Sequence, residues 1–210
     1  MLKIFSFTLL IIPFVLISCA KKSDDGSSSS STTTYATSKS GVTASGSITM
    51  GNYTMSGTYA TLCADASSTS AKPTDTTYVG FVIVVTGSSS FTRELNYYTD
   101  SACTTLSAGW YFNNDNVTDQ GPTASDSTAN EKVSFNQINQ HLFANTTAGK
   151  TFFDDLFGGG MDVTVGTAHV ATSGVTYYNL VKVSSTNLYY GTPSGTDYPS
   201  TSPEAEYVKQ

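Results

Sequence analysis

Two cysteines, Cys63 and Cys103, and the β-rich chain around and between them constrain this sequence more than any other feature. Residues 57–62 lead into Cys63 as Gly57, Thr58, Tyr59, Ala60, Thr61 and Leu62. Residues 78–85 follow as an unbroken apolar and β-branched run, the signature of a strand buried on both faces or lying against a barrel wall. After a turn at Gly87, Ser88, Ser89 and Ser90, residues 91–98 alternate. Phe91, Arg93, Leu95 and Tyr97 fall on one side, and Thr92, Glu94, Asn96 and Tyr98 on the other. Two runs joined by so short a turn predict a β-hairpin. Gly109, Trp110 and Tyr111 begin a further short strand over 109–113.

The N-terminus has its own logic. Lys3 gives a short basic start, and residues 4–17 are apolar except for Ser6, Thr8 and Pro13. That stretch is too short for an ordinary membrane-spanning helix and fits a secretory signal over residues 1–18. It ends in Leu16, Ile17, Ser18 and Cys19, which resembles the bacterial lipobox. The resemblance implies that Cys19 becomes the acylated first residue, carrying palmitate-type chains. The expected partner is then a membrane, and the expected location is the bacterial cell envelope, lipid-anchored, at the outer membrane. One acyl chain holds a bilayer marginally, and two or three hold it firmly. With Cys19 given to lipid, Cys63 and Cys103 remain as a pair in an oxidising compartment, and a disulfide between them is expected. Closing a loop of about 40 residues is worth about 4 kcal/mol in the chain-entropy model. Zinc is disfavoured, because neither cysteine sits in a Cys-x-x-Cys or beside a histidine.

Residues 19–47 are rich in Ser and Thr and poor in apolar side chains, so a disordered tether spanning about 30 Å is expected. Residues 48–55 alternate weakly and read as an edge strand or lead-in, and 57–62 as the first barrel strand. Residues 114–130 read as a long polar loop and 132–138 as a strand. Residues 148–157 place Phe152, Phe153, Leu156 and Phe157 at helical spacing, stopped by Gly158, Gly159 and Gly160. A loose strand over 163–171, a second hairpin from 176–183 and 187–191, and a Pro/Ser/Gly-rich tail over 192–210 complete the chain. The expected fold is all-β: an antiparallel barrel of about 8–9 strands with one short helix, occupying 48–210. Closure is attractive because it leaves no exposed strand edges.

The order Gly57-x-Tyr59, Cys63, apolar hairpin, Tyr98-x-Asp100-x-x-Cys103 and Gly109-Trp110 resembles the lipocalin-like modules of bacterial lipoproteins. It is also similar to the ectodomain of the adenomatosis-polyposis-coli-down-regulated Wnt inhibitors. The likeness covers roughly residues 57–208, and Tyr59 stands where such modules usually carry Trp. It implies a central cavity and often an apolar or lipid ligand, but no catalytic residues.

A net charge of −6 without a basic cluster argues against nucleic acid and against electrostatic membrane docking. His141 and His169 are the only histidines and neither lies in a nucleophile motif, so no enzyme is expected. Asp154, Asp155 and Asp162 are the best carboxylate cluster for an acid/base pair or a cation site, but Asp154 and Asp155 read instead as the solvent face of the short helix. The Asn113–119 stretch lacks the Gly and Glu of a calcium loop, and neither metal nor cofactor is expected. Asp100 reads as a turn cap. Candidate ligand-lining residues are Phe81, Ile83, Tyr97, Trp110, Phe135 and Tyr178. The resulting expectation is a lipid-anchored, non-enzymatic module that binds a small apolar ligand. The alternative is a structural or surface-interaction (adhesin-like) lipoprotein with a filled core.

Overall fold

The sequence alternation becomes eleven strands and one helix in a computed structural model that describes residues 33–123, 130–201, 203 and 205–210. In chain order they are β1 (Ile48–Met50), β2 (Tyr53–Met55), β3 (Thr58–Ala60), β4 (Ala64–Asp65), β5 (Tyr78–Val85), β6 (Phe91–Tyr98), β7 (Leu106–Pro122), β8 (Glu131–Ala144), α1 (Thr147–Leu156), β9 (Ala168–Val183), β10 (Asn187–Tyr190) and β11 (Ala205–Lys209). Residues 1–18, where a signal peptide is expected, and Cys19 lie outside the described residues.

Every strand pairing is antiparallel. β3 pairs with both β11 and β5, which closes an eight-stranded ring in the order β3, β11, β10, β9, β8, β7, β6, β5. β4 adds a two-residue flap to β5, and β1 and β2 pair only with each other. Closure is confined to one end. β9 pairs with β10 only over Val181–Val183, although it pairs with β8 from Ala168 to Val181. At the other end β9 and β4 are therefore separate edges, and α1 packs across the mouth between the sheet's walls.

Period-two alternation decides what lies inside. Val79, Phe81, Ile83 and Val85 of β5 register against Tyr97, Leu95, Arg93 and Phe91 of β6. Those in turn face Ala108, Trp110, Phe112 and Asn114 of β7. At the closed end Ile83, Val85, Phe91, Val133, Phe135, Val181, Val183, Leu188, Tyr190 and Tyr207 form one buried cluster with Tyr59. At the split end Val79, Tyr97, Ala108, Leu142 and Ala144 pack against Phe153 of α1 and Val163. Thr146 caps the helix by accepting from Gly149 N–H at 3.0 Å. Gly158 and Gly159, at φ +61° and +70°, end it in the left-handed conformation.

The disulfide Cys63–Cys103 is present, with Cα atoms 6.0 Å apart. The turn that delivers Cys103 is organised by Asp100, whose carboxylate accepts from Ala102 N–H, Thr104 N–H and Oγ1, and Thr105 N–H at 2.6–3.2 Å. These bonds hold Cys103 itself at φ +51° and keep the Asp100 carboxyl depressed to about 2.

Three expectations are corrected. Residues 114–122 are not a loop: they extend β7, because Asn114, Asp115, Thr118 and Asp119 pair with β8 across register shifts. The tail is not free of strands: β11 sits between β10 and β3 and completes the ring. Residues 35–47 are not tether. Tyr35 bridges Leu62, Ala36 is buried, and Ser38, Lys39 N–H and Ser40 all donate to the buried Glu94 carboxylate at 2.6–2.7 Å. Gly80 makes room for this outer strap, since a Cβ there would stand 2.5 Å from the Ala36 methyl.

Candidate functional site

The closed end of the barrel encloses an apolar chamber, and the chain fills it with its own hairpin. Ile48, Met50 and Met55, from β1 and β2, are each 3% exposed and pack among the wall residues. The space left between Met50, Met55, Ile83, Phe91, Phe135, Tyr190 and their neighbours is about 10 Å³. That is at the threshold for a single water molecule. The hairpin shares no backbone ladder with the wall. Its polar anchor is Gly51 N–H, which donates to the Asp119 carboxylate at 2.7 Å. Glu131 stands beside the same turn with a buried, unpartnered Oε2. Burial, and then the Asp119 charge, hold the Glu131 carboxyl above its usual range.

Below the chamber the interior turns polar. Arg93 points inward from β6 by register, and its guanidinium lies 4.6 Å from the centre of the Phe112 ring and 5.9 Å from that of Tyr190. No carboxylate lies within ion-pair distance of it among the described residues. Cation–π contacts of this kind are worth about 0.5–2 kcal/mol, more where water is excluded. Burial pushes the Tyr190 phenol up to about 12 and raises Tyr207 and Tyr177 as well, with Arg93 opposing the shift in each case. The phenols thus present neutral hydroxyls around a fixed positive charge.

The six candidate lining residues do not share one site. Ile83 and Phe135 line the chamber, and Phe81 packs against it from the same face. Tyr97 and Trp110 lie in the other layer, under α1. There Tyr97 meets Phe152 edge-on, and Trp110 meets Phe153 and Phe157. Trp110 Nε1 also donates to Gln140 at 2.8 Å. Tyr178 points outward, against Tyr198. Arg93 was the residue that sequence reasoning passed over. Its signal was a lone cation on the apolar side of an alternating strand.

The remaining polar residues supply little chemistry. His141 sits on the outer wall 3.4 Å from the Asn113 amide, and burial lowers its pKa. Asp154 pairs with Lys150 one turn earlier on α1. No group of three metal-ligating side chains occurs among the described residues. An open cleft of about 600 Å³ runs along α1 beside Lys72, Thr74, Thr147, Thr151, Phe152 and Asp155. Its one cation, Lys72, already donates to Thr76 carbonyl at 2.6 Å. No family model and no curated protein matches this chain.

Proposed function

We propose that this chain is a lipid-anchored, non-enzymatic module of the bacterial cell envelope, and that its barrel takes a small apolar ligand in the chamber now filled by hairpin β1–β2. The observation that carries the proposal is the way the chamber is filled. Three of its buried apolar side chains belong to a hairpin that shares no strand ladder with the wall and is anchored to it through Gly51 N–H and Asp119, so the hairpin can withdraw without breaking the ring. Methionine, which supplies two of the three, adapts to irregular space and tolerates replacement by another apolar body. Arg93 below the chamber favours a ligand with one polar or anionic end. The lipobox-like Leu16, Ile17, Ser18 and Cys19 support the anchor.

Native mass spectrometry of the full-length chain, extracted from bacterial membranes in detergent, tests the ligand. The expected result is a co-purifying apolar compound that survives washing, with higher occupancy when Met50→Ser and Met55→Ser loosen the plug. A clean apo mass for both proteins sinks the ligand and favours the second reading, a surface-interaction or structural module with a permanently filled core. That second reading draws support from the residual 10 Å³. The anchor is tested separately by metabolic labelling with a palmitate analogue, which the wild type takes up and Cys19→Ser does not.

A further inference from the structure

Residues 35–55 straddle one wall of the barrel. The outer limb, 35–45, runs along the outside of β5 and β6, where Ala36 sits over Gly80 and Ser38, Lys39 N–H and Ser40 donate to the Glu94 carboxylate. Ser45 ends that limb at the rim. Its N–H donates to the Val85 carbonyl at 2.9 Å and its hydroxyl to the Thr86 carbonyl at 2.8 Å. Gly46, at φ +69°, then crosses the β5–β6 turn so closely that a Cβ there would stand 2.8 Å from the Gly87 carbonyl carbon. By Ile48 the chain is inside the chamber as β1.

The return leg meets the same point of the rim. Gly57, at φ +83°, accepts from Val85 N–H at 3.0 Å as β2 hands over to β3, and Ser56 beside it accepts from Lys209 Nζ at 3.1 Å. The C=O and N–H of one residue, Val85, thus hold both legs of the hairpin, and each leg carries a left-handed glycine. Lacking a Cβ, glycine changes φ and ψ at little steric cost, and small residues at such positions commonly serve as hinges. The far end of the hairpin is held differently. Its turn, Gly51 and Asn52, is bound through Gly51 N–H to Asp119, with the Glu131 carboxylate crowding the same glycine. Thr49, Tyr53 and Thr54 are exposed, whereas Ile48, Met50 and Met55 are buried in the chamber, so the hairpin engages the barrel by one face.

We infer that β1–β2 is a lid on the closed-end chamber, hinged at Gly46 and Gly57 over Val85, latched at Gly51 by Asp119, and opening from the β7–β8 side. The attachments decide the direction. A body held along one edge by two covalent legs and two backbone bonds, and at the other by one charge-assisted hydrogen bond, rotates about the firm edge. Met50 stands next to the turn, whereas Ile48 and Met55 pair with each other next to the legs, so Met50 leaves the chamber first. The outer limb keeps the hinge in place, because its bonds to Glu94 hold the chain just upstream of Ser45 against the wall. An apolar ligand enters beneath the lifted tip, past Asp119 and Glu131. The lid thereby gives the ligand proposed above its route into the chamber, and in that respect rests on that reading.

Thiol labelling of the full-length chain in detergent, read site by site by mass spectrometry, tests the motion. Met50→Cys, Ile48→Cys and, in the split-end core, Leu142→Cys each place a thiol at a buried position. Leu142→Cys reports opening of the rest of the barrel. Met50→Cys is expected to react at least about tenfold faster than Leu142→Cys, with Ile48→Cys between them. Asp119→Ala removes the latch and is expected to raise the Met50→Cys rate about tenfold or more while leaving Leu142→Cys unchanged. A Met50→Cys that reacts no faster than Leu142→Cys overturns the lid. So does equal reaction at Ile48→Cys and Met50→Cys, which means melting of the hairpin rather than rotation, and so does an Asp119→Ala effect of the same size at all three sites. The labelling needs no ligand, so the two readings fail separately. Fast reaction at Met50→Cys in a protein with a clean apo mass keeps the lid and removes the ligand. A compound bound behind a slow Met50→Cys keeps the ligand and removes the lid.

Discussion

The closed and split ends of this barrel are made from the same long strands, yet they are held together by different means. At the closed end the ring of backbone hydrogen bonds is complete, because β10, β11 and β3 fill the gap between β9 and β5. The interior is then a matter of packing, and even a hairpin without a ladder to the wall suffices to fill it. At the split end no strand among the described residues bridges β9 and β4. Side chains must do there what the ladder does elsewhere: α1 covers the mouth and the Cys63–Cys103 staple fixes the β4 side. Backbone closure makes a structure tolerant of its contents. Where closure is missing, individual contacts become decisive.

Breaking the staple gives the largest expected loss. Cys63→Ser with Cys103→Ser frees a loop spanning a sequence separation of 40, at a cost of about 4 kcal/mol in the chain-entropy model. Urea unfolding of wild type with and without reductant, beside the double variant, measures it. A loss below about 1 kcal/mol would mean that the Asp100 turn and the outer strap hold the split end without the disulfide.

Packing at the closed end supplies the next contrast. Ile83→Ala removes a fully buried wall residue fixed by ladders on both sides, so a cavity remains and about 3–4 kcal/mol is lost. Met50→Ala removes a side chain equally hidden, but from a hairpin free to settle, and should cost about half as much. Equal losses would show the hairpin to be as rigidly held as the wall, which would also weaken the proposal that it yields to a ligand.

These contrasts track what could be read before the fold was seen. Residues 78–85 and 91–98 were legible to the residue because burial on one or both faces wrote an apolar pattern into them. Cys63 and Cys103 were legible because chemistry left them few other uses. The extension of β7 beyond residue 113 was not, because Asn114 and Asp115 have poor strand propensity and are held by pairing with β8, a tertiary effect. β11 was hidden for a similar reason: five residues reading Ala, Glu, Tyr, Val and Lys carry little pattern, and ring closure supplies the need for them. The strap at 35–47 escaped because it docks through hydroxyls and a backbone N–H onto Glu94, and its apolar burial comes from only a few scattered residues, Tyr35, Ala36 and Val42. Within the candidate site, apolar identity pointed inward for Phe81, Ile83 and Phe135, but only register could turn Tyr178 outward.

Arg93 offers a smaller and more discriminating probe. Arg93→Met keeps the long apolar stem against Phe112 and removes the charge. With no carboxylate partner among the described residues to be orphaned, stability should change by less than about 1 kcal/mol. Any bound compound with an anionic end should be lost from the native mass spectrum, whereas a wholly apolar one should stay. A large loss of stability would make Arg93 a structural element of the core rather than a feature of the chamber.

The smallest effects are expected from acid, and they should have opposite signs at the two ends. At the split end, the Asp100 carboxyl is lowered to about 2 by its bonds to the Thr105 and Thr104 N–H groups, below its ordinary value of 3.8. A depressed folded-state pKa stabilises the fold above the ordinary value, and that contribution drains away as pH falls from there toward about 2. At the closed end, Glu131 is raised above its ordinary 4.5 by burial and by Asp119, so the folded state takes up its proton first. Stability associated with that residue therefore rises as pH falls through the range just above 4.5, while Asp100 is still fully ionised. Urea midpoints measured against pH should separate the two. Glu131→Gln should abolish the rise on mild acidification, and Asp100→Asn should flatten the later fall. The hairpin gives the first effect a local readout. Gly51 is held by Asp119 beside Glu131, so protection factors of the β1 and β2 amides, taken relative to intrinsic exchange at each pH, should rise as Glu131 protonates, with no matching change around Cys103. Protection factors that rise equally at both ends would mean that the hairpin and the staple respond as one cooperative unit, and that the contrast between the ends does not extend to their opening.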